Sequence, residues 1–325
     1  MEEDADVFAA FVERIGIRSL MGVMTHDVEV DGLRHDRYRY DPALRQAQLR
    51  RAVEFAEEWH GKADGRISAI MAPNMTISSS PELLRESRAA ADRLGLRLSM
   101  HLGWGRGEVD ATRRLHGVTP FEYARANGLL APDVVAAHCY VIEDSDIALL
   151  AETRAAVAHC PLINSLRGHI APVGEFRRRG IAVGLGSDSL FADYFELVRA
   201  AVLMARVKEE SAVTMPAAEA LELATLGGAR ALGFEREIGS IEIGKRADLV
   251  VVDFQAFGLT LDPIQNLVYH AHATNVETVL VDGRIVVDDG RLVHADAPAL
   301  IDGAADAATA AWERFVAKYG GVGAK

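Results

Sequence analysis

Four apolar runs in this chain end in residues that bind metals or move protons: His101, His138, His159 and Asp188. A single histidine closing an apolar run is ordinarily a packed core residue. Three of them and an aspartate, closing four successive runs, are hard to explain by packing. Imidazole and carboxylate together suit a divalent ion such as zinc, and a catalytic site of that kind keeps one position open for water. The ion lowers the pKa of that water toward about 7, which makes hydroxide available at neutral pH. Such chemistry requires the four runs to be strands ending at a common mouth.

The rest of the chain supports strands. From residue 17 to about 190, short β-like runs alternate with helical stretches; the runs cover 17–25, 66–72, 96–101, 133–138, 155–160 and 181–188. They are apolar through most of their length, as strands buried on both faces should be. Between them, Asp41-Pro42 offers a helix cap followed by proline at the first helical position. Leu49, Ala52, Val53, Ala56 and Trp59 then share one helical face. Ser80-Pro81-Glu82 opens another helix in the same way, and 143–151 and 172–179 continue the alternation. Repeated strand–helix units predict a parallel sheet with right-handed crossovers. Six strands are visible, whereas a closed parallel barrel needs eight. An open doubly wound sheet usually has a glycine-rich turn after its first strand, but here 17–25 runs into His26-Asp27.

After residue 215 the pattern changes. Residues 217–232 read as a helix, followed by β-like runs at 238–241, 247–252, 276–281 and 284–287. Turns fall at Ile243-Gly244-Lys245 and at Asp282-Gly283, the second a tight hairpin signal. This is a small antiparallel unit without a visible partner sheet. The alanine-rich stretch 302–317 predicts a surface helix.

Bulk properties narrow the function classes. The 325 residues carry a net charge of -12, which disfavours a nucleic-acid partner. No run of eighteen or more apolar residues is present, so no membrane span is expected. The acidic start Met1-Glu2-Glu3-Asp4 lacks the basic region of a signal peptide, and the expected localisation is cytoplasmic. Cys139 and Cys160 each follow a histidine inside an apolar run, so buried thiols rather than a disulfide are expected.

Several strings resemble the amidohydrolase superfamily, in particular its branch of cytosine, guanine, pterin and adenosylhomocysteine deaminases and triazine hydrolases. They are Ala136-Ala137-His138-Cys139, Asp144-Ser145-Asp146-Ile147, His159-Cys160-Pro161 with Asn164, and Gly184-Leu185-Gly186-Ser187-Asp188. The stretches 224–233 and 239–250, with Val281-Asp282-Gly283-Arg284, extend the resemblance over nearly the whole chain. It implies a TIM-like (β/α) barrel, incomplete here with only strands three to eight, beside a small C-terminal β-sandwich half-domain. The expected units are a hydrolase barrel over 1–235, a small β domain over 236–295 and a helical tail over 296–325. His101 would end the fifth barrel strand as a metal ligand. Asp188 would end the eighth, ligate the metal and take the proton of the attacking water. His138 would end the sixth and polarise the substrate or orient the hydroxide, whereas His159 would be a motif residue inside strand seven. The implied cofactor is a divalent metal, zinc foremost and iron as the alternative. The implied partner is a small molecule, and the family is often oligomeric.

Two departures from the family pattern bear on activity. The family places an H-x-H metal pair at the end of its first barrel strand, and no H-x-H precedes His101 here; His270-Ala271-His272 lies in the late β region. The partners of His101 and Asp188 are therefore expected in strands that would precede Met1. The family also has a proton-shuttling glutamate three residues after the strand-five histidine, where this chain has Trp104. Glu108 is the nearest acid, either reaching the site from its loop or solvated there. Trp104, Glu108 and Asn164 are the candidate substrate contacts. Thr25, His26, Asp27, Asn74, Thr76, Arg167 and His169 are weaker candidates at strand ends, and the run Arg34, Arg37, Tyr38, Arg39 reads as a solvated face or a carboxylate clamp. The resulting expectation is hydrolysis of a non-peptide carbon–nitrogen bond, by deamination or by amide or amidine hydrolysis of a cyclic or heteroaromatic molecule. The alternative is a truncated, inactive homologue acting as a subunit or binding module.

Overall fold

The computed structural model describes residues 4–33, 35–257 and 261–319; Arg34 and the start Met1-Glu2-Glu3 lie outside them. The strands, in chain order, are β1 (Ser19–Met21), β2 (Met24–Thr25), β3 (Ile67–Pro73), β4 (Arg97–Leu102), β5 (Val134–His138), β6 (Ala156–His159) and β7 (Val183–Leu185). β1 and β2 both pair with β3 and act as one interrupted strand, so the sheet has six positions, all parallel. The order follows the chain, from β1 through β3, β4, β5 and β6 to β7. It is a curled part-barrel: among the described residues, β1 and β7 find no further strand on their outer sides.

The six positions coincide with the six expected runs, each of which is apolar through most of its length and covered by helices on the outside. Asp41 caps the Pro42–Trp59 helix by accepting from Ala43 N and Leu44 N, and Ser80 caps Pro81–Leu94 by accepting from Leu83 N. These helices bury Phe55, Ala56, Trp59, Leu83, Leu84 and Ala91 in the main core. Residues 217–232 form a continuous helical stretch containing a π-helical turn at Leu223–Gly227. This stretch crosses β7 at backbone distance: a Cβ on Gly184 would lie 2.8 Å from Gly228 Cα, and one on Gly227 2.5 Å from Val183 O. The glycine pair in Leu226-Gly227-Gly228-Ala229 is a packing requirement.

The second sheet is antiparallel, in the order β11 (Arg291–Leu292), β10 (Arg284–Asp288), β9 (Val276–Val281), β8 (Leu249–Val252). Asp282 and Gly283 both take positive φ, +54° and +76°, as the hairpin signal between β9 and β10 requires. The expected strand at 238–241 is not formed. That stretch is turns and bends, with Ile241 and Ile243 exposed, because among the described residues no neighbouring strand takes up its hydrogen bonds. Arg18, just before β1, joins the two sheets: its Nε and Nη2 donate to Asp248 at 2.5 and 3.0 Å, and Asp248 accepts from Asp282 N at 2.8 Å. The last described element is the exposed Ala297–Tyr319 helix. Among the described residues no helix is long and apolar enough to cross a membrane. Cys139 and Cys160 are free and buried.

Candidate active site

Parallel strands carry the side chains at their C-terminal ends to one side of the sheet. The register of β4 against β5 sets His101 beside Ala137 and Leu102 beside His138. The two imidazoles therefore meet across adjacent strands, stacked with centroids 5.3 Å apart and planes 16° from parallel. Asp188 follows β7, and its Oδ2 stands 3.8 Å from His138 Nε2. The backbone turns sharply where these groups leave the sheet: His138, Cys139 and Asp188 have φ of +73°, +49° and +56°. Side chains other than glycine rarely adopt such values, and they concentrate at functional sites.

Hydrogen bonds fix which ring atoms face the mouth. His101 Nδ1 lies 2.9 Å from Asn74 O. A carbonyl only accepts, so Nδ1 carries the proton and the Nε2 lone pair is free. His138 Nδ1 donates to Asn164 Oδ1 at 3.0 Å, which leaves its Nε2 as an acceptor as well. Two acceptors, His138 Nε2 and Asp188 Oδ2, thus face one another at a separation that a bridging donor or cation fills. Burial holds the His138 imidazole below its usual pKa, against the Asn164 bond that favours the charged form, so the ring is neutral at neutral pH.

The remaining candidates divide between mouth and scaffold. Trp104 lies half-buried on the rim, with the Arg167 guanidinium 4.5 Å from its ring centroid. Asn164 is fully buried and engaged with His138. Glu108 is not a loop acid: it lies in the Arg106–His116 helix, 1 % exposed, and its two oxygens accept from Thr76 Oγ1 at 3.0 Å and Trp104 N at 2.8 Å. Burial pushes its pKa up to about 7. His159 lies behind the mouth with no exposure, neither ring nitrogen has a partner among the described residues, and burial pushes its pKa down to about 4. Asp27 is a buried cap, accepting from Ser80 N and Ser80 Oγ. Arg37 and Arg39 are exposed. Tyr140 escaped the sequence reading although it lies only two residues past His138; its ring meets His138 edge-on at 6.3 Å and stacks on His169 at 4.7 Å. Tyr140 and His169 also line a cavity of about 520 Å³ with Arg106 and Lys208, to which none of His101, His138 and Asp188 contributes.

The donor types fit zinc only in part. His101 and Asp188 are suitable ligands, but among the described residues no group of three or more His, Cys, Asp or Glu side chains could hold a metal ion. The described set therefore does not close a metal site.

A sequence model of the amidohydrolase family matches residues 3–286. The chain belongs to the amidohydrolase family. Among its relatives is a 5-methylthioadenosine/S-adenosylhomocysteine deaminase of Moorella thermoacetica, 38% identical over 257 residues, with 77% of this chain and 60% of the relative covered. A 5'-deoxyadenosine deaminase of Methanothermobacter thermautotrophicus is 38% identical over 253 residues, covering 76% and 59%. A solved structure of a zinc-bound adenosine deaminase from Xanthomonas campestris superposes with a TM-score of 0.84 at 29% identity, over 93% of this chain and 68% of that one. This amidohydrolase thus spans about 60% of the length of those two relatives. Its part-barrel is of the TIM type, and the relatives it resembles are named as deaminases.

Proposed function

We propose that this amidohydrolase contributes the strand-end half of a site that hydrolyses the exocyclic carbon–nitrogen bond of an adenine nucleoside modified at its 5′ position. The observation carrying this reading is the convergence of His101, His138 and Asp188 on the ends of three strands, with the Nε2 lone pairs of both imidazoles left free. The adenosine-type substrates named for the relatives supply the substrate class. The same chemistry extends to other flat heterocycles bearing an amine.

In the proposed reaction a water oxygen adds to the ring carbon bearing the amine, the carbon–nitrogen bond breaks, and ammonia leaves. The Asp188 carboxylate takes a proton from the attacking water and returns it to the departing nitrogen. Neutral His138 orients the attacking water by accepting one of its O–H groups through Nε2. Trp104 carries no transferable proton, so the return falls to Asp188. A divalent ion, zinc by donor type or iron, would use His101 and Asp188 but requires further donors, and no step is assigned to it. The test is incubation of the full chain, with and without added zinc, with 5'-methylthioadenosine, S-adenosylhomocysteine and adenosine, reading ammonia release. Release that Asp188→Asn abolishes is expected. No release from any of the three, under conditions in which the Moorella enzyme releases ammonia from the first two, would overturn the reading.

A further inference from the structure

Glu108 is a buried carboxylate that the proposed reaction does not use, and its contacts are specific. One oxygen accepts from Thr76 Oγ1, on the loop after β3, and the other from Trp104 N, on the loop after β4. The Thr76 hydroxyl also meets Thr112 Oγ1 at 2.7 Å, on the same helix as Glu108. Each loop in turn holds part of the mouth. Two residues before Thr76, Asn74 O accepts from both His101 N and His101 Nδ1, each at 2.9 Å. Trp104 carries the guanidinium of Arg167 on its ring face. Between His101 and Trp104, Gly103 takes φ +60°, and a Cβ there would lie 2.6 Å from Val141 O. The segment from His101 to Trp104 is therefore anchored at both ends and has no slack in between.

We propose that Glu108 is a positioning residue: its carboxylate ties the loop after β3 to the loop after β4, and so holds the His101 imidazole and the Trp104–Arg167 pair in place at the mouth. With both oxygens taken by protein donors and 1 % exposure, it does not reach substrate. This role deepens the deaminase reading and rests on it for its catalytic meaning. Its geometric content, an imidazole held in one tautomer, is measurable without turnover.

The test compares the full-length chain with Glu108→Gln and Glu108→Ala by nitrogen NMR of labelled histidine rings, with His101→Gln used to assign the His101 signals. Glutamine keeps the ties: its carbonyl accepts from Trp104 N, its amide donates to Thr76 Oγ1, and the Thr76 hydrogen turns to Thr112. Alanine removes both. The expected result is a His101 pattern with protonated Nδ1 in the parent and in Glu108→Gln, and a mixed-tautomer pattern in a cooperatively melting Glu108→Ala. Should Glu108→Ala fail to fold, Thr76→Val cuts one tie and is expected to shift His101 in the same direction. A folded Glu108→Ala or Thr76→Val with the parent His101 pattern overturns the proposal, as does a Glu108→Gln as disturbed as the alanine variant. A shifted His101 alongside a parent chain that releases no ammonia supports the positioning role and sinks only the deaminase reading.

Discussion

At the scale of single residues, the candidate site depends on hydrogen bonds made away from the mouth. Asn164 Oδ1 is the acceptor that orients His138 through Nδ1, and both residues are buried. Asn164→Ala leaves that N–H without a partner out of reach of solvent, and a loss of about 1–3 kcal/mol in urea unfolding is expected; a change within a few tenths would show that His138 is held by packing. The two buried titratable groups beside the mouth predict opposite pH trends. Glu108 is raised to about 7 by burial, so its contribution to stability is full below the ordinary glutamate range and is lost as pH rises through the folded value. His159 is lowered to about 4 by burial, so its contribution is present above the ordinary histidine range and is lost as pH falls through the folded value. The Tm of the parent minus that of Glu108→Gln should therefore be larger near about pH 5 than near about pH 8, and for His159→Gln the difference should run the other way. The same sign for both variants would contradict this assignment of burial.

At the scale of elements, the sheet owes its close contact with the helix over 217–232 to small residues at fixed places. Gly184 in β7 lies so close to Gly228 that a methyl group cannot enter without moving backbone. Gly184→Ala is expected to destabilise the chain by roughly 1–3 kcal/mol, read by chemical denaturation, because overpacking forces shifts in a close-packed region. An unchanged midpoint would mean that the helix over 217–232 can move away from β7. The elements also show where sequence patterns suffice. Residues 276–281 were expected as a strand and form one, because alternation and an adjacent Asp-Gly turn pin the hairpin locally. Residues 238–241 were expected as a strand from Ile238 and Ile241 and do not form one, since a strand exists only where a neighbour takes up its hydrogen bonds.

At the scale of the whole molecule, the six-position sheet brings His101, His138 and Asp188 to one end, but among the described residues no group of three or more donors is placed to hold a metal ion, which leaves His101 and Asp188 as the candidate ligands. Two protein ligands hold zinc far more weakly than the usual three or four. The full chain, purified and dialysed against buffer without metal, is therefore expected to retain much less than one equivalent of zinc or iron by elemental analysis. A stoichiometric ion that survives dialysis would show that further donors come together in solution.

The order of apolar runs and the polar residues that end them were legible from sequence alone. Strand burial and helix capping are local patterns, so the six strands, the Asp41 and Ser80 caps and the strand-ending set His101, His138, His159 and Asp188 could all be read from residue types and spacing, whereas setting His159 apart from the other three came only from the resemblance to the family. Tertiary structure decided which of these groups do what. His138 and His159 end neighbouring strands in near-identical contexts, yet one meets Asp188 and Asn164 while the other is sealed in the core without a partner among the described residues. Glu108 reads from sequence as a loop acid that either reaches the substrate or is solvated, and only the approach of two loops from different strands makes it buried and doubly bonded. Burial and lone-pair direction depend on neighbours distant along the chain, and the pattern within a single run does not specify them.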